Sequence, residues 1–206
     1  DPIYKSNAGN ASFNADRGGE LYTALEAAGF QVNPTMRDAY ANSGIVRTSV
    51  ATRGGSTVGE APASFYTDTL KSSYASQYND VAIVLLTRYG GEGVDLDPLD
   101  ADGVPMLSLH QEEADLLRMI HDSGKFGKTV VLINSPFAMD IEWIEYEEYG
   151  VDACLVFGAA GDYGFIALMD ILTGAADVSG HLPDTWASSS FSILSQAIFI
   201  FSWDTT

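Results

Sequence analysis

A chain of 206 residues suits one domain, or one domain with a tail. Apolar residues make up 46% and charged residues 18%, which allows a buried core and excludes an intrinsically disordered type. The net charge of -18 repels phosphate backbones and anionic membrane surfaces. Nucleic acid and membrane are therefore not expected partners, whereas neutral or cationic small molecules remain open.

The elements follow in chain order. Residues 1–15 are polar and rich in Gly, Asn and Ser, and read as a loop. Asp16 can cap a helix in which Leu21, Leu25 and Ala28 recur at helical spacing, and Gly29 stops it. "FQVNP" is a short strand candidate, and "TMRDAYANSG" a short helix. Residues 43–63 have no sustained period and read as a long exposed loop. "SFYTDTLKSSYASQYND" sets Phe65, Leu70, Tyr74 and Tyr78 near one helical face.

"VAIVLLT" follows, a continuous apolar run of the kind buried on both faces of a parallel sheet. After a glycine-rich loop, Ser108 and Gln111 suggest a capping box. The helix it opens carries Leu109, Leu116, Leu117 and Ile120. "KTVVLINS" and "VDACLVFG" are further buried strands, separated by a short helix with Ile141, Ile144 and Tyr149 inward. "GAAGDYGFIALMDILTG" is a helix entered through glycines, and "DVSGHLPDTW" a turn and a strand. The alternation predicts a layered α/β/α sandwich with a mainly parallel sheet. Ligands of such sheets bind beyond the carboxyl ends of the strands. The loops after the apolar strands would then line one rim.

Several chemistries find no support in the residues. Cys154 stands alone, cannot close an intrachain disulfide, and reads as a small buried hydrophobe. Gly158, Gly161 and Gly164 miss the dinucleotide fingerprint and read as close helix packing. No G-x-S-x-G elbow exists for a serine nucleophile, and His110 and His121 fall on a predicted helix. No metal-site spacing occurs, so neither a metal nor another cofactor is expected. "DLDPLDAD" reads as a solvated acidic loop with Asx turns. No basic stretch with an apolar core opens the chain, so no signal peptide is visible, and the protein reads as soluble without an assignable compartment. "NAS" at Asn10–Ser12 matters as a glycosylation acceptor only in a secreted eukaryotic protein.

Glu92 is the candidate of interest. It stands in "RYGGEGVDLDP", directly after the apolar strand, between Gly91 and Gly93. Glycines let the backbone approach a ligand closely, and a carboxyl held in a cleft can be tuned as a general acid. From these residues alone, a solvated surface carboxylate and a catalytic one both stay open.

The ordered blocks "GGEGVDL", "LSLHQEEADLLRMI", "KTVVLINSPFAMDIEWI" and "YGVDACLVFGAAGDYGFIALMDILTGAADVSGHLPDTW" resemble the C-terminal α/β-sandwich domain of glycoside hydrolase family 3, the β-glucosidase-like enzymes. The resemblance runs from about Asn79 to Trp186, and "RGGELYTALEAAGFQVNP" resembles the domain's first helix and following strand. It implies a retaining glycosidase whose aspartate nucleophile lies on a separate barrel domain, too large to fit in this chain. It maps the catalytic acid/base onto Glu92, with Tyr89, Gly91, Gly93 and Asp95 around the substrate. Asp95 is expected to fix the loop, and Leu96 replaces a basic residue common in the family.

The implied substrate is a β-linked oligosaccharide or aryl glycoside, with Tyr89, Phe137 and Tyr163 as candidates for stacking on sugar faces. The expected domain covers 1–186, with the family's opening strand absent, and 187–206 forms an atypical apolar tail able to drive self-association. The expectation is a chain cut from a larger gene and inactive alone. Alternatives are a non-catalytic carbohydrate-binding or interaction module of the same fold, and an independent esterase-type hydrolase.

Overall fold

The computed structural model describes residues 21–45, 47–49, 56–90, 95–100, 102–161, 163–183 and 185–186. The expected tail at 187–206 lies outside the described residues, as do the opening loop and the Asp16 cap. Helix α1 spans Leu21–Ala27 and buries Leu21 and Leu25, four apart on one face. Helix α2 spans Pro34–Ala41 and starts where Asn33 accepts a hydrogen bond from the Met36 N–H at 3.1 Å. That cap corrects the strand expected at "FQVNP". Residues 30–33 lie in no strand, because Pro34 suits a first helical turn and Asn33 caps it.

The expected long loop is corrected too. It contains strands β1, Arg47–Ser49, and β2, Ser56–Val58, paired antiparallel with Thr48 opposite Thr57. Three-residue strands are too short to leave a period in the sequence. A 3₁₀ turn at Ala63–Phe65 precedes helix α3, Asp68–Ser73, which Thr67 caps. The helix ends well before Tyr78, which adopts φ 57°.

Strand β3 spans Val81–Tyr89, helix α4 Gln111–Ser123, and strand β4 Lys128–Asn134. The capping partners of α4 differ from the expected Ser108 and Gln111. Glu113 accepts from the His110 N–H at 2.9 Å, and the Ser108 hydroxyl donates to the Pro105 carbonyl instead. Two 3₁₀ turns, Glu142–Glu145 and Glu147–Tyr149, stand where a short helix was expected, and Trp143 and Tyr149 are their buried residues. Strand β5 is Ala153–Val156, and helix α5 is Gly164–Leu172. Residues 177–183 and 185–186 form no strand, correcting the reading of "DVSGHLPDTW".

The sheet has the order β1-β2-β3-β4-β5. β3, β4 and β5 run parallel, with Leu86 opposite Ile133 and Ile133 opposite Val156. β2 joins antiparallel at the end of β3, where Ser56 meets Tyr89 and Thr57 meets Arg88. Alternate residues of β3 enter opposite cores. Ala82, Val84 and Leu86 pack with Leu116, Leu117 and Ile120 of α4. Ile83 and Leu85 pack on the side of α1 and α5, with Leu25, Phe165 and Leu168. This is the α/β/α sandwich, and each fully buried Leu or Phe contributes roughly 1.5–3 kcal/mol. β5 is less covered than expected, since Ala153 and Val156 are exposed at the sheet edge.

Candidate functional site

The carboxyl ends of β3 and β4 concentrate the buried polar groups. Among the described residues, Thr87, Arg88, Asn134 and Ser135 are buried there. Asn134 donates through Nδ2 to the Gly158 carbonyl, tying the end of β4 to the loop after β5. The Ser135 hydroxyl donates to the Phe137 carbonyl at 2.9 Å and accepts the Phe137 N–H at 3.0 Å. The rim therefore stands on side-chain-to-backbone bonds that hold two adjacent loops.

Arg88 is the anchor. It is 0% exposed, and its guanidinium has a partner for each donor. Nε donates to the Met106 carbonyl at 2.7 Å, and Nη1 and Nη2 donate to the two Glu113 oxygens at 2.8 Å each. Nη1 also reaches the Thr87 carbonyl at 3.1 Å, and Nη2 the Ser108 carbonyl at 2.8 Å. Burial pushes the Glu113 carboxyl up, but the Arg88 charge, hydrogen bonds from Arg88 and the His110 backbone, and the His110 side chain hold it below the ordinary carboxylate range. One bidentate pair thus fastens the end of β3, the loop through Met106 and the start of α4 together.

That loop leaves Arg88 through Tyr89 and Gly90 and is described again from Asp95. Gly91, Glu92 and Gly93 lie outside the described residues. The Asp95 side chain is exposed, and its Oδ1 accepts the Leu96 N–H at 2.9 Å. Asp100 makes the expected Asx turn, with Oδ1 accepting from Asp102 N–H at 2.9 Å and Val104 N–H at 2.8 Å. Leu96 and Met106 turn inward and are buried, so the loop is seated by apolar contacts as well.

Of the aromatic candidates, Tyr89 closes β3 and is half-buried, Phe137 is half-buried after β4, and Tyr163 is 57% exposed ahead of α5. In the chain, Tyr89 ends β3, Phe137 follows β4, and Tyr163 follows β5 immediately ahead of α5. The glycines after β5 require a correction. Gly158 and Gly161 take φ 57° and 58°, with open space where a Cβ would stand, so they serve the turn rather than close packing. Gly164 alone of the three stands close to a neighbour, Ala160.

The sequence reading missed Arg88, Glu113 and Asn134. A cation ending an apolar strand, with a glutamate at the third position of the next helix, was the available signal. Among the described residues, no cluster of three or more His, Cys, Asp or Glu stands ready to hold a metal, and no helix is long and apolar enough to cross a membrane. Cys154 is half-buried, and burial pushes its thiol up to about 11, consistent with an inert packing residue.

Parallel strands covered by helices on both faces, with buried polar groups at their carboxyl ends, define a layered α/β domain. Comparison with known proteins makes this specific. The "Glycosyl hydrolase family 3 C-terminal domain" description matches residues 6–198, and the chain belongs to that family. Probable beta-glucosidase F of Neosartorya fischeri is 32% identical over 127 residues, covering 59% of this chain and 14% of that protein. A beta-glucosidase of Schizophyllum commune is 31% identical over 134 residues, covering 64% of this chain and 67% of that one. The crystal structure of a beta-glucosidase from Paenibacillus barengoltzii superposes with a TM-score of 0.68 at 26% identity, over 90% of this chain and 20% of that one. The chain thus spans only 14% of the length of the first curated relatives it matches.

Proposed function

We propose that this chain is the acid/base-bearing domain of a retaining β-glycosidase. Glu92 is its proton donor, and turnover requires a barrel domain that brings the aspartate nucleophile. The observation that carries this reading is the Arg88 anchor. A catalytic carboxyl on a glycine-flanked loop must be presented reproducibly, and this loop springs from a strand end that a buried bidentate ion pair fixes to α4. In retaining hydrolysis a carboxylate attacks the anomeric carbon while a carboxylic acid protonates the leaving oxygen. The same group then acts as base toward water. The two carboxyls stand about 5–5.5 Å apart in such enzymes, so the nucleophile must come within contact of this rim. Tyr89, Gly91, Gly93 and Asp95 shape the leaving-group side, and the exposed Tyr163 offers a face for a sugar ring.

A groove runs beside β3. Among the described residues, no strand pairs with Val81–Leu86 on the side away from β4. A groove of about 620 Å³ lies there, lined by Leu25, Phe30, Val32, Val81, Ile83 and Met119 among others. The strand edge, residues 30–33 and helices from both faces bound a slot fit for one more strand.

The experiment is hydrolysis of aryl β-glycosides by this chain, by the chain joined to a family barrel, and by the Glu92→Gln variant of each. We expect turnover only with the barrel, falling by about 10²–10⁴ in the variant for poor leaving groups. Strongly activated aryl leaving groups should suffer less, because they need no proton. Equal losses for all leaving groups would remove Glu92 as the acid. Turnover by the chain alone would place a nucleophile within it.

A further inference from the structure

Three side chains meet behind the β1–β2 hairpin. Tyr40 of α2 and Tyr66 both bring their hydroxyls to Glu60 Oε1, each at 2.8 Å, and the two hydroxyls also contact one another. The Ala61 N–H donates to the same Oε1 at 2.5 Å. Burial raises both phenols far above their ordinary value, so each keeps its single proton. If Glu60 were a carboxylate, two hydroxyl protons would have to serve three oxygen–oxygen contacts. One contact would then set lone pair against lone pair. A proton on Glu60 Oε1 supplies the missing one. The carboxyl then donates to one phenol, that phenol to the other, and the second back to Oε1.

We infer that Glu60 is a neutral carboxylic acid in the folded protein, and that its three-proton ring with Tyr40 and Tyr66 is a pH-sensitive clasp on the root of the β1–β2 hairpin. Burial acts in the same direction, raising the Glu60 carboxyl against the opposing hydrogen bonds of Ala61, Tyr66 and Tyr40. The charged and titratable groups that face it are Tyr40 from α2, Tyr66 from the turn before α3, and Glu113 from α4, whose charge also raises it. The Arg88 cation of β3 is bound to both Glu113 oxygens. Among the described residues, no ion pair reaches Glu60.

The clasp bears on the rim. Glu60 follows β2 by two residues, and β2 pairs with Arg88 and Tyr89. Loss of the third proton opens one of the three contacts and loosens the strand that flanks the rim loop. The folded state binds more protons than the unfolded one between the ordinary carboxylate range and the raised Glu60 titration. The clasp's contribution is therefore full below that window and falls as pH rises through it. The inference stands on different residues from those assigned to catalysis, so it survives or fails independently of Glu92.

The test is infrared difference spectroscopy of the whole chain at neutral pH, wild type against Glu60→Gln, with urea unfolding across pH. We expect the carbonyl band of a protonated carboxylic acid in the wild type and its loss in Glu60→Gln. Wild-type stability should fall with rising pH above the ordinary carboxylate range, and that slope should vanish in the variant. Tyr66→Phe leaves Glu60 in place but cannot close the ring, and we expect the acid band to disappear at neutral pH. A wild type with no acid band would overturn the inference. An undiminished band in Tyr66→Phe would also overturn it, because burial alone would then hold the proton. If Glu60→Gln fails to fold, the wild type against Tyr66→Phe decides the question.

Discussion

Arg88 and Glu113 show how much one residue pair can organise. A buried guanidinium with every donor used costs little in its place and a great deal when its partner is removed. We expect Glu113→Gln to destabilise the domain by about 3–5 kcal/mol, read as a shift of the urea midpoint. Replacing both partners with apolar residues, Arg88→Met and Glu113→Leu, should cost less than Glu113→Gln alone, since no charge is then left buried and unpaired. A double variant worse than the single would sink that account. Protonation works in the same direction as the Gln substitution. The Glu113 carboxyl is held below its ordinary range, so its contribution is present above that range and lost as pH falls through the folded titration. Acid should weaken this pair, while rising pH weakens the Glu60 clasp.

Elements are positioned by close approach as well as by burial. At the amino ends of β3 and β4, the Gly127 N–H donates to the Asn79 carbonyl at 2.9 Å and the Lys128 N–H to the Asp80 carbonyl at 3.0 Å. A Cβ on Gly127 would stand 2.8 Å from the Asp80 carbonyl oxygen, a backbone atom that cannot swing aside. We expect Gly127→Ala to cost about 1–3 kcal/mol, although the position is exposed. Gly180→Ala, with open space around it, should stay within about 0.5 kcal/mol. Equal effects in thermal unfolding would mean that the approach of the two strands tolerates a methyl group. This constraint lies outside sequence reach, because Gly127 and Asp80 are brought together only by the parallel pairing of β3 with β4. The β1–β2 hairpin was illegible for a different reason. Its strands are three residues each, and their pairing is fixed by the end of β3 rather than by their own pattern.

For the whole molecule, the open side of β3 is the feature with the largest consequence. Among the described residues, no strand pairs with Val81–Leu86 on the side of the groove, which is lined largely by apolar residues. A parallel apolar strand fused ahead of Asp1 should raise the unfolding midpoint, each added hydrogen bond contributing roughly 0.5–1.5 kcal/mol. An unchanged midpoint would mean that the groove takes no strand.

The sequence by itself determined the layered α/β class, the three long apolar segments and the family. Those signals are local or ordered along the chain. A β-branched run such as "VAIVLLT" has few physical outcomes other than a buried strand. It also marked the rim, because the loops that follow such strands share one end of a parallel sheet. Only the tertiary structure decided what holds that rim. Arg88 meets Glu113, 25 positions away, and Asn134 meets the Gly158 carbonyl, 24 positions away. Tyr40, Glu60 and Tyr66 come from separate segments and converge behind the hairpin. Burial makes a polar group find its partner, but the identity of that partner depends on which segments the fold brings together, and no spacing along the chain records it.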